Sequence, residues 1–290
     1  MKNEQKQQIA AEIELILSSG KISQNQLSQK VGISPAHLIN VRDKEKHGLV
    51  SSRTWQRLNA YFSSWKEIAT YNLNGCVSVC RDAQENARML GIYGETGYGK
   101  TTALKHYARK NQNAFYVLAD CMMSRKGFLK AIAESLGIES EGTAEALKFL
   151  IIARLNALES PLLMIDDAGK LDDKNFRVIQ ILFDATEGNS GFVLAGMPYL
   201  KNYIDRSTRA GKMGFGELAR RVGWWEMLDA PTFEEVEKLC SSNGVKDAEC
   251  IRFIFNSCKN FGTIKETINT AKRVSETVDI EVLESLKLVK

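Results

Sequence analysis

The chain has no apolar run approaching the roughly 18 residues that a membrane-spanning helix requires. Its opening residues, M-K-N-E-Q-K-Q-Q, are polar and lack the apolar core of a signal peptide. Together these absences make a cytoplasmic protein the expectation. Six cysteines are present (Cys76, Cys80, Cys121, Cys240, Cys250 and Cys258), but none forms a C-x-x-C pair, and only 3 histidines are available as co-ligands. Reduced thiols are therefore expected rather than disulfides or a zinc site. No Ser-His-Asp or Cys-His constellation stands out, nor any internal repeat, heptad array or low-complexity tract. A Pro/Gly/Ser-rich tether is missing as well.

Net charge is confined to one end. The formal net charge is +4, and residues 1–70 carry that whole excess, while the remainder is balanced. A basic N-terminal segment suggests contact with nucleic acid, the alternative being an ordinary solvated surface.

What the sequence does contain is G-x-x-x-x-G-K-[ST] without a gap. It reads Gly94, Glu95, Thr96, Gly97, Tyr98, Gly99, Lys100, Thr101. The apolar run Met89–Tyr93 before it suits a buried strand, and residues 101–110 after it have helical composition with no breaker. Strand, glycine-rich loop and helix are the setting that a phosphate-binding loop needs. Glycines let the backbone approach phosphate closely, and successive N–H groups at a helix start form an anion nest. Lys100 is expected to reach the β- and γ-phosphates of ATP, and the Thr101 hydroxyl to ligate Mg²⁺. The other loop residues and Thr102 complete the expected nucleotide contacts.

Further strands are predicted at 114–118, 161–165, 191–195 and 222–228, alternating with helical stretches. That alternation predicts an α/β fold with a parallel sheet covered on both faces. The third strand runs L-L-M-I into Asp166 and Asp167. An apolar strand ending in a carboxylate fits a Mg²⁺ site opposite the phosphate loop, with Asp166 binding directly or through water.

The N-terminal region has a different pattern. Residues 5–18 suit a helix with Ile9, Ile13, Ile16 and Leu17 on one face and Gly20 as a stop. Ser23 caps a second helix, Gly32 supplies a turn, and Ser34 with Pro35 opens a third. On that third helix Leu38, Ile39 and Val41 supply apolar contacts. Ala36, His37, Asn40, Arg42 and Lys44 are left to face outward toward DNA. Residues 51–62 close the unit. The pattern is a helix-turn-helix and resembles the Cro/repressor class; the alternative use is a small helical bundle for protein contacts. The chain divides on this reading into a helix-turn-helix domain at 1–65, a linker at 66–86, a P-loop core at 87–230 and a helical lid at 231–290.

The core and lid resemble the AAA+ ATPases, in which the strands carrying the two motifs flank another strand. This family usually has Glu after the Asp of the second motif, where it polarises the attacking water. Here the residue is Asp167, whose carboxylate is retracted by about one methylene, and general-base geometry is demanding. Slow hydrolysis is the expectation. Gly196-Met197-Pro198 occupies the family's sensor-1 region and offers no polar residue. The resemblance implies an in-trans arginine before the last strand, matched by Arg220 and Arg221, with Arg209 further off. It also implies a sensor-2 position on the helix 262–274, occupied by Lys265.

Helix-turn-helix, minimal core and short lid together resemble the transposition ATPases, which include the target-capture protein of phage Mu and the helper ATPases of transposons and insertion sequences. The resemblance implies ATP-bound homo-oligomers, filaments or rings, on double-stranded DNA, with no membrane partner. It also implies delivery of target DNA to a transposase. Ser124, Arg125, Lys126 and Lys130 form the basic cluster expected to meet DNA phosphates in the core; its alternative is a solvated helix end. Helicase loaders or replication initiators share the core. A nucleotide-responsive helix-turn-helix regulator is a reading of another class, and a small-molecule kinase would leave the N-terminal domain without a purpose.

Overall fold

The computed structural model describes residues 3–18, 23–62, 65–275 and 277–286. The chain forms two compact units, residues 1–66 and 67–290. The first holds α1 (Asn3–Ser18), α2 (Gln24–Val31), α3 (Pro35–Arg42) and α4 (Ser52–Phe62). The Ser23 hydroxyl accepts the Gln26 N–H while the Gln26 side chain accepts from the Ser23 N–H, a reciprocal cap that starts α2. Gly32, at φ 71°, ends it in the left-handed region. Ile9, Ile13, Leu27, Leu38, Val41, Trp55 and Leu58 fill the core of this unit. Ile39, expected among these apolar contacts, is instead exposed. On a helix it points away from the face shared by Leu38 and Val41, and those two residues saturate the core side. Gly20 lies outside the described residues.

The second unit begins with α5 (Tyr71–Glu85), then runs β1 (Met89–Tyr93), α6 (Lys100–Lys110), β2 (Ala114–Leu118), α7 (Arg125–Ser135), α8 (Ala144–Asn156), β3 (Leu162–Asp166), α9 (Asp173–Asp184) and β4 (Gly191–Gly196). It continues through α10 (Pro198–Arg209), α11 (Phe215–Arg221) and β5 (Val222–Met227). Four helices follow: α12 (Phe233–Ser242), α13 (Ala248–Ser257), α14 (Phe261–Val274) and α15 (Ile280–Ser285). The five strands are parallel, in the order β2-β3-β4-β1-β5. The strand bearing the phosphate loop and the strand ending in Asp166 therefore flank β4.

Alternation along the central strands explains the layers. Leu163, Ile165, Phe192 and Leu194 face one side and pack with residues of α7, α8 and α9. Leu162, Met164, Val193 and Ala195 face the other side and pack with residues of α5 and α6. Every residue of β3 is buried, as a parallel strand covered on both faces must be. The stretch expected as a linker, 66–86, is largely α5. Cys76, Val79, Cys80 and Ala83 are buried on it against the sheet, so it is an integral layer of the α/β unit. Its apolar positions recur at helical spacing among polar ones, which is why it passed for a connection. Among the described residues no helix is long and apolar enough to cross a membrane.

Candidate functional site

The loop between β1 and α6 is shaped by Gly97 and Gly99, at φ 79° and 96°, a region that side chains with a Cβ rarely enter. Gly99 stands at the N-cap of α6, where no side chain caps the helix. The first-turn N–H groups of any α-helix lack intrahelical acceptors. Here they are left to a ligand, and the helix dipole makes an anion the favoured one. Lys100 is buried, and its ammonium donates to the carbonyls of Gly94 at 2.6 Å and Glu95 at 2.9 Å. Burial holds its pKa below the ordinary lysine value, and the nearby carboxylates of Asp166 and Asp167 oppose that shift. It is a flexible cation parked on the loop's own backbone.

Thr101 follows Lys100 on α6, and its hydroxyl donates to Asp166 Oδ2 at 2.7 Å. The Tyr116 hydroxyl, from β2, donates to the same oxygen at 2.9 Å. The Asp167 N–H donates to Asp166 Oδ1 at 3.0 Å. Asp166 is fully buried, so these donors, with Lys100 beside it, are what allow a carboxylate to remain there. Burial raises the Tyr116 phenol well above its ordinary pKa, and the charge of Asp166 adds to the effect, so Tyr116 remains a donor. The hydroxyl and the carboxylate are hard-oxygen donors, and they stand beside an anion nest of N–H groups; that combination fits Mg²⁺ bound with a nucleoside triphosphate. Thr101 and Asp166 would hold the metal, which would neutralise charge on the phosphates.

Asp167 sits at φ 54°, a left-handed conformation that few non-glycine residues adopt and that Asp tolerates. Its carboxylate accepts from Lys170 Nζ at 2.7 Å. The base expected from the sequence is thus held in an ion pair at the surface side of the site. Met197, after β4, lies against the loop, with its sulfur 3.5 Å from the Thr96 hydroxyl. Glu95, Thr96, Thr101 and Thr102 are exposed, whereas Tyr98 is half-buried.

Several residues that hold the loop carried no signal in the sequence. Asn72, near the start of α5, donates to the carbonyls of Tyr98 at 3.0 Å and Asp229 at 2.8 Å. It clasps the phosphate loop to the segment after β5. The Gly262 N–H donates to the Gly97 carbonyl at 3.3 Å, so α14 meets the loop at its N-terminal end, with exposed Lys265 one turn beyond. Glu235 of α12 accepts from the Tyr71 N–H at 2.8 Å, tying the C-terminal helices to α5. Asn175, buried on α9, donates to the Met123 carbonyl at 3.0 Å and secures the segment after β2. Their contacts to the loop and to α5 are tertiary, and no local pattern records them.

The two arginines before β5 differ. Arg220 is exposed at the end of α11. Arg221 is largely covered and pairs with Asp184 through both ends of the carboxylate, at 2.5 and 2.7 Å. That pairing counts against the expected role of Arg221 in reaching a neighbouring subunit: Nε and Nη2 are engaged within the chain, and Nη1 is buried without a partner. Arg209, further off, donates to the Asp205 carbonyl at 3.3 Å. In the basic cluster, Ser124 caps α7 by accepting the Gly127 N–H, and Arg125 and Lys126 are exposed. Lys130 pairs with Glu141 at 2.8 Å and is partly neutralised. The segment leading to this cluster starts at the site itself, since the Ala119 N–H donates to the Asp166 carbonyl at 2.9 Å.

In the N-terminal unit, Ala36 is exposed and His37 and Asn40 are half-exposed on α3. His37 Nδ1 lies 3.0 Å from the Ser34 hydroxyl. Arg42 forms a two-point pair with Glu14 of α1, at 2.6 and 3.0 Å, so it braces the bundle instead of standing free for phosphate. Lys44 lies past the helix in a 3-10 turn, Lys44–Leu49, because Asp43 ends α3 in an extended conformation.

Comparison with known proteins agrees with this geometry. Residues 82–204 match the family described as the AAA domain. That match takes in less than half of the chain. Among solved structures, the Aeropyrum pernix ORC2 protein, determined in ADPNP–ADP complexes, superposes with a TM-score of 0.60 at 13% identity. That match covers 77% of this chain and 68% of the other. Thermotoga maritima RuvB reaches a TM-score of 0.48 at 16% identity, over 75% of this chain and 68% of its own. Among curated proteins none matches the sequence. The fold is therefore that of the AAA+ P-loop NTPases, with the glycine loop, Lys100, Thr101 and Asp166 at the carboxyl ends of the strands, where α/β sheets bind ligands.

Proposed function

We propose that this protein is an ATP-dependent, largely sequence-nonspecific double-stranded DNA-binding ATPase of the transposition class. ATP-bound subunits would assemble into filaments or rings on DNA in the cytoplasm, capture target DNA, deliver it to a transposase and activate it. The observation that carries the reading is the direct link between the nucleotide site and the basic segment. Asp166 holds the start of the 119–124 loop through its own carbonyl, and that loop leads into exposed Arg125 and Lys126 at the start of α7.

The chemistry would proceed with this chain's residues in distinct roles. Lys100 leaves the Gly94 and Glu95 carbonyls for the β- and γ-phosphates. Asp167, once free of Lys170, accepts the proton of the attacking water as the γ-phosphoryl bond to ADP breaks. Arg220 of one subunit supplies charge to the phosphates bound by the next, so turnover rises with assembly. Lys265 adds a cation from the lid. The helix-turn-helix unit gives a second DNA contact through His37 and Asn40.

The test is electron microscopy with ATP and random-sequence duplex DNA. Regular protein-coated DNA that disappears without ATP is expected. Nucleotide-independent binding confined to one sequence would point to a transcriptional regulator, and stable capture of a replicative helicase to a loader.

A further inference from the structure

Tyr116 belongs to no motif, yet it touches the centre of the site. It lies on β2, at the sheet edge, in register with Met164 of β3. Its ring rises beside α6, where Lys105 Nζ lies 5.1 Å from the ring centroid. Lys105 is one helical turn beyond Thr101, so α6 contacts the phenol and the carboxylate from one face. The hydroxyl donates to Asp166 Oδ2 at 2.9 Å, the oxygen that also accepts from Thr101 at 2.7 Å.

Three donors therefore fix the carboxylate: two hydroxyls on Oδ2 and the Asp167 N–H on Oδ1. The Thr101 donor cannot be relied on for orientation alone, because the same hydroxyl oxygen is the expected metal ligand. The Asp167 N–H belongs to a backbone held in the left-handed region by a turn. Only Tyr116 approaches from an element that bears no other part of the site. A buried acceptor left with an unfilled lone pair is costly, and its carboxylate would turn toward another donor such as the Lys100 ammonium.

We infer that Tyr116 is a positioning residue for the divalent cation: its hydroxyl holds the Asp166 carboxylate in the rotamer that accepts Mg²⁺ beside Thr101. The inference rests on the nucleotide-site reading above and deepens it. Tyr116 touches neither nucleotide nor metal in this role. Its contribution should be present only when metal accompanies the nucleotide.

The test measures affinity for a fluorescent ATP analogue, with Mg²⁺ and with chelator, in the wild-type protein, Tyr116→Phe and Lys100→Ala. Tyr116→Phe removes one oxygen and keeps the ring, so its fold can be checked by thermal unfolding. The ratio of affinity with metal to affinity without it should fall about tenfold in Tyr116→Phe, the worth of one hydrogen bond to a charged group. Affinity in chelator should stay unchanged. An unaltered ratio, or an equal loss in both conditions, overturns the positioning role. Undiminished binding by Lys100→Ala would instead overturn the site itself, so the two failures are separable. Mn²⁺ titration of the nucleotide complex by electron paramagnetic resonance gives a direct second readout, with weaker Mn²⁺ binding expected in Tyr116→Phe.

Discussion

The Thr101 hydroxyl donates to the Asp166 carboxylate at 2.7 Å across 65 positions of sequence. Sheet order makes this possible, because β1 and β3 flank β4 and their carboxyl ends open on one edge. A helix that starts at Lys100 then reaches sideways to the end of β3. The contact ties the start of α6 to the carboxylate that ends β3.

Lys100→Ala tests the nest. Lys100 is the buried cation of the loop and now rests on two backbone carbonyls. Without its ammonium on the phosphates, ATP binding should weaken by about 10–100-fold, the worth of a charge-assisted hydrogen bond or two. Calorimetric titration with ATP checks it, and an unchanged affinity refutes the assignment.

Lys170→Ala tests the restraint on Asp167. The pair is 2.7 Å long, with side chains 43% and 31% exposed, so screening limits its worth to about 1 kcal/mol or less. Freeing the carboxylate should raise basal ATP turnover by up to about fivefold, the same energy as a rate. Asp167→Asn should retain ATP binding while nearly abolishing phosphate release. If Lys170→Ala slows turnover instead, Lys170 acts on the phosphates and the restraint reading fails.

Arg220→Ala and Arg221→Ala should separate cleanly. Arg221 is paired to Asp184 with only 18% of its side chain exposed. Removing it leaves Asp184 without its partner and should cost about 1–2 kcal/mol of stability, a Tm lower by about 3–6 °C. Arg220 is exposed at the helix end, so Arg220→Ala should leave Tm unchanged. Its turnover should stay low at protein concentrations where the wild type accelerates. Thermal unfolding and phosphate release against concentration decide between them; a concentration-dependent wild-type rate matched by Arg220→Ala would remove Arg220 from the finger role.

The phosphate loop, the strand leading into Asp166 and the parallel sheet were legible because each is a local pattern. Apolar runs, glycine spacing and a terminal carboxylate carry their physics within a few residues. The Ser23 cap that opens α2 was legible for the same reason. The stretch 66–86 was not, since α5 shows what it covers only once the sheet exists. Arg221, Lys130 and Arg42 looked like free cations for the matching reason: their partners Asp184, Glu141 and Glu14 lie 37, 11 and 28 positions away. Tyr116 and Asn72 reach the site by topology alone. Ion pairing and side-chain clasps are tertiary facts, and a local motif has no means of recording them.

DNA contact by the loop after β2 makes the last prediction, and Cys121 supplies its reporter. Five of the six thiols are buried, and Cys121 alone is exposed. Burial pushes Cys76 and Cys240 up to about 12 and Cys250 up to about 11, so at neutral pH they are protonated as well as covered, and thiolate is the reactive form. A maleimide should therefore label the native protein at one site. Cys121 lies four residues before Arg125 on the segment anchored at the Asp166 carbonyl. Duplex DNA with ATP should slow its labelling, and DNA without ATP should not. Reversing charge in Arg125→Glu/Lys126→Glu should abolish that protection on every sequence alike. It should also flatten the salt dependence of binding by about two units of log–log slope, near one for each DNA phosphate that is no longer neutralised. Lys130→Glu should have a smaller effect, because Glu141 already neutralises Lys130 in part. Labelling of Cys121 at one rate with and without DNA and ATP, together with an unchanged salt slope in the double variant, would show that DNA does not contact this loop. Binding would then have to be reassigned to the N-terminal unit, where His37→Ala and Asn40→Ala become the deciding variants.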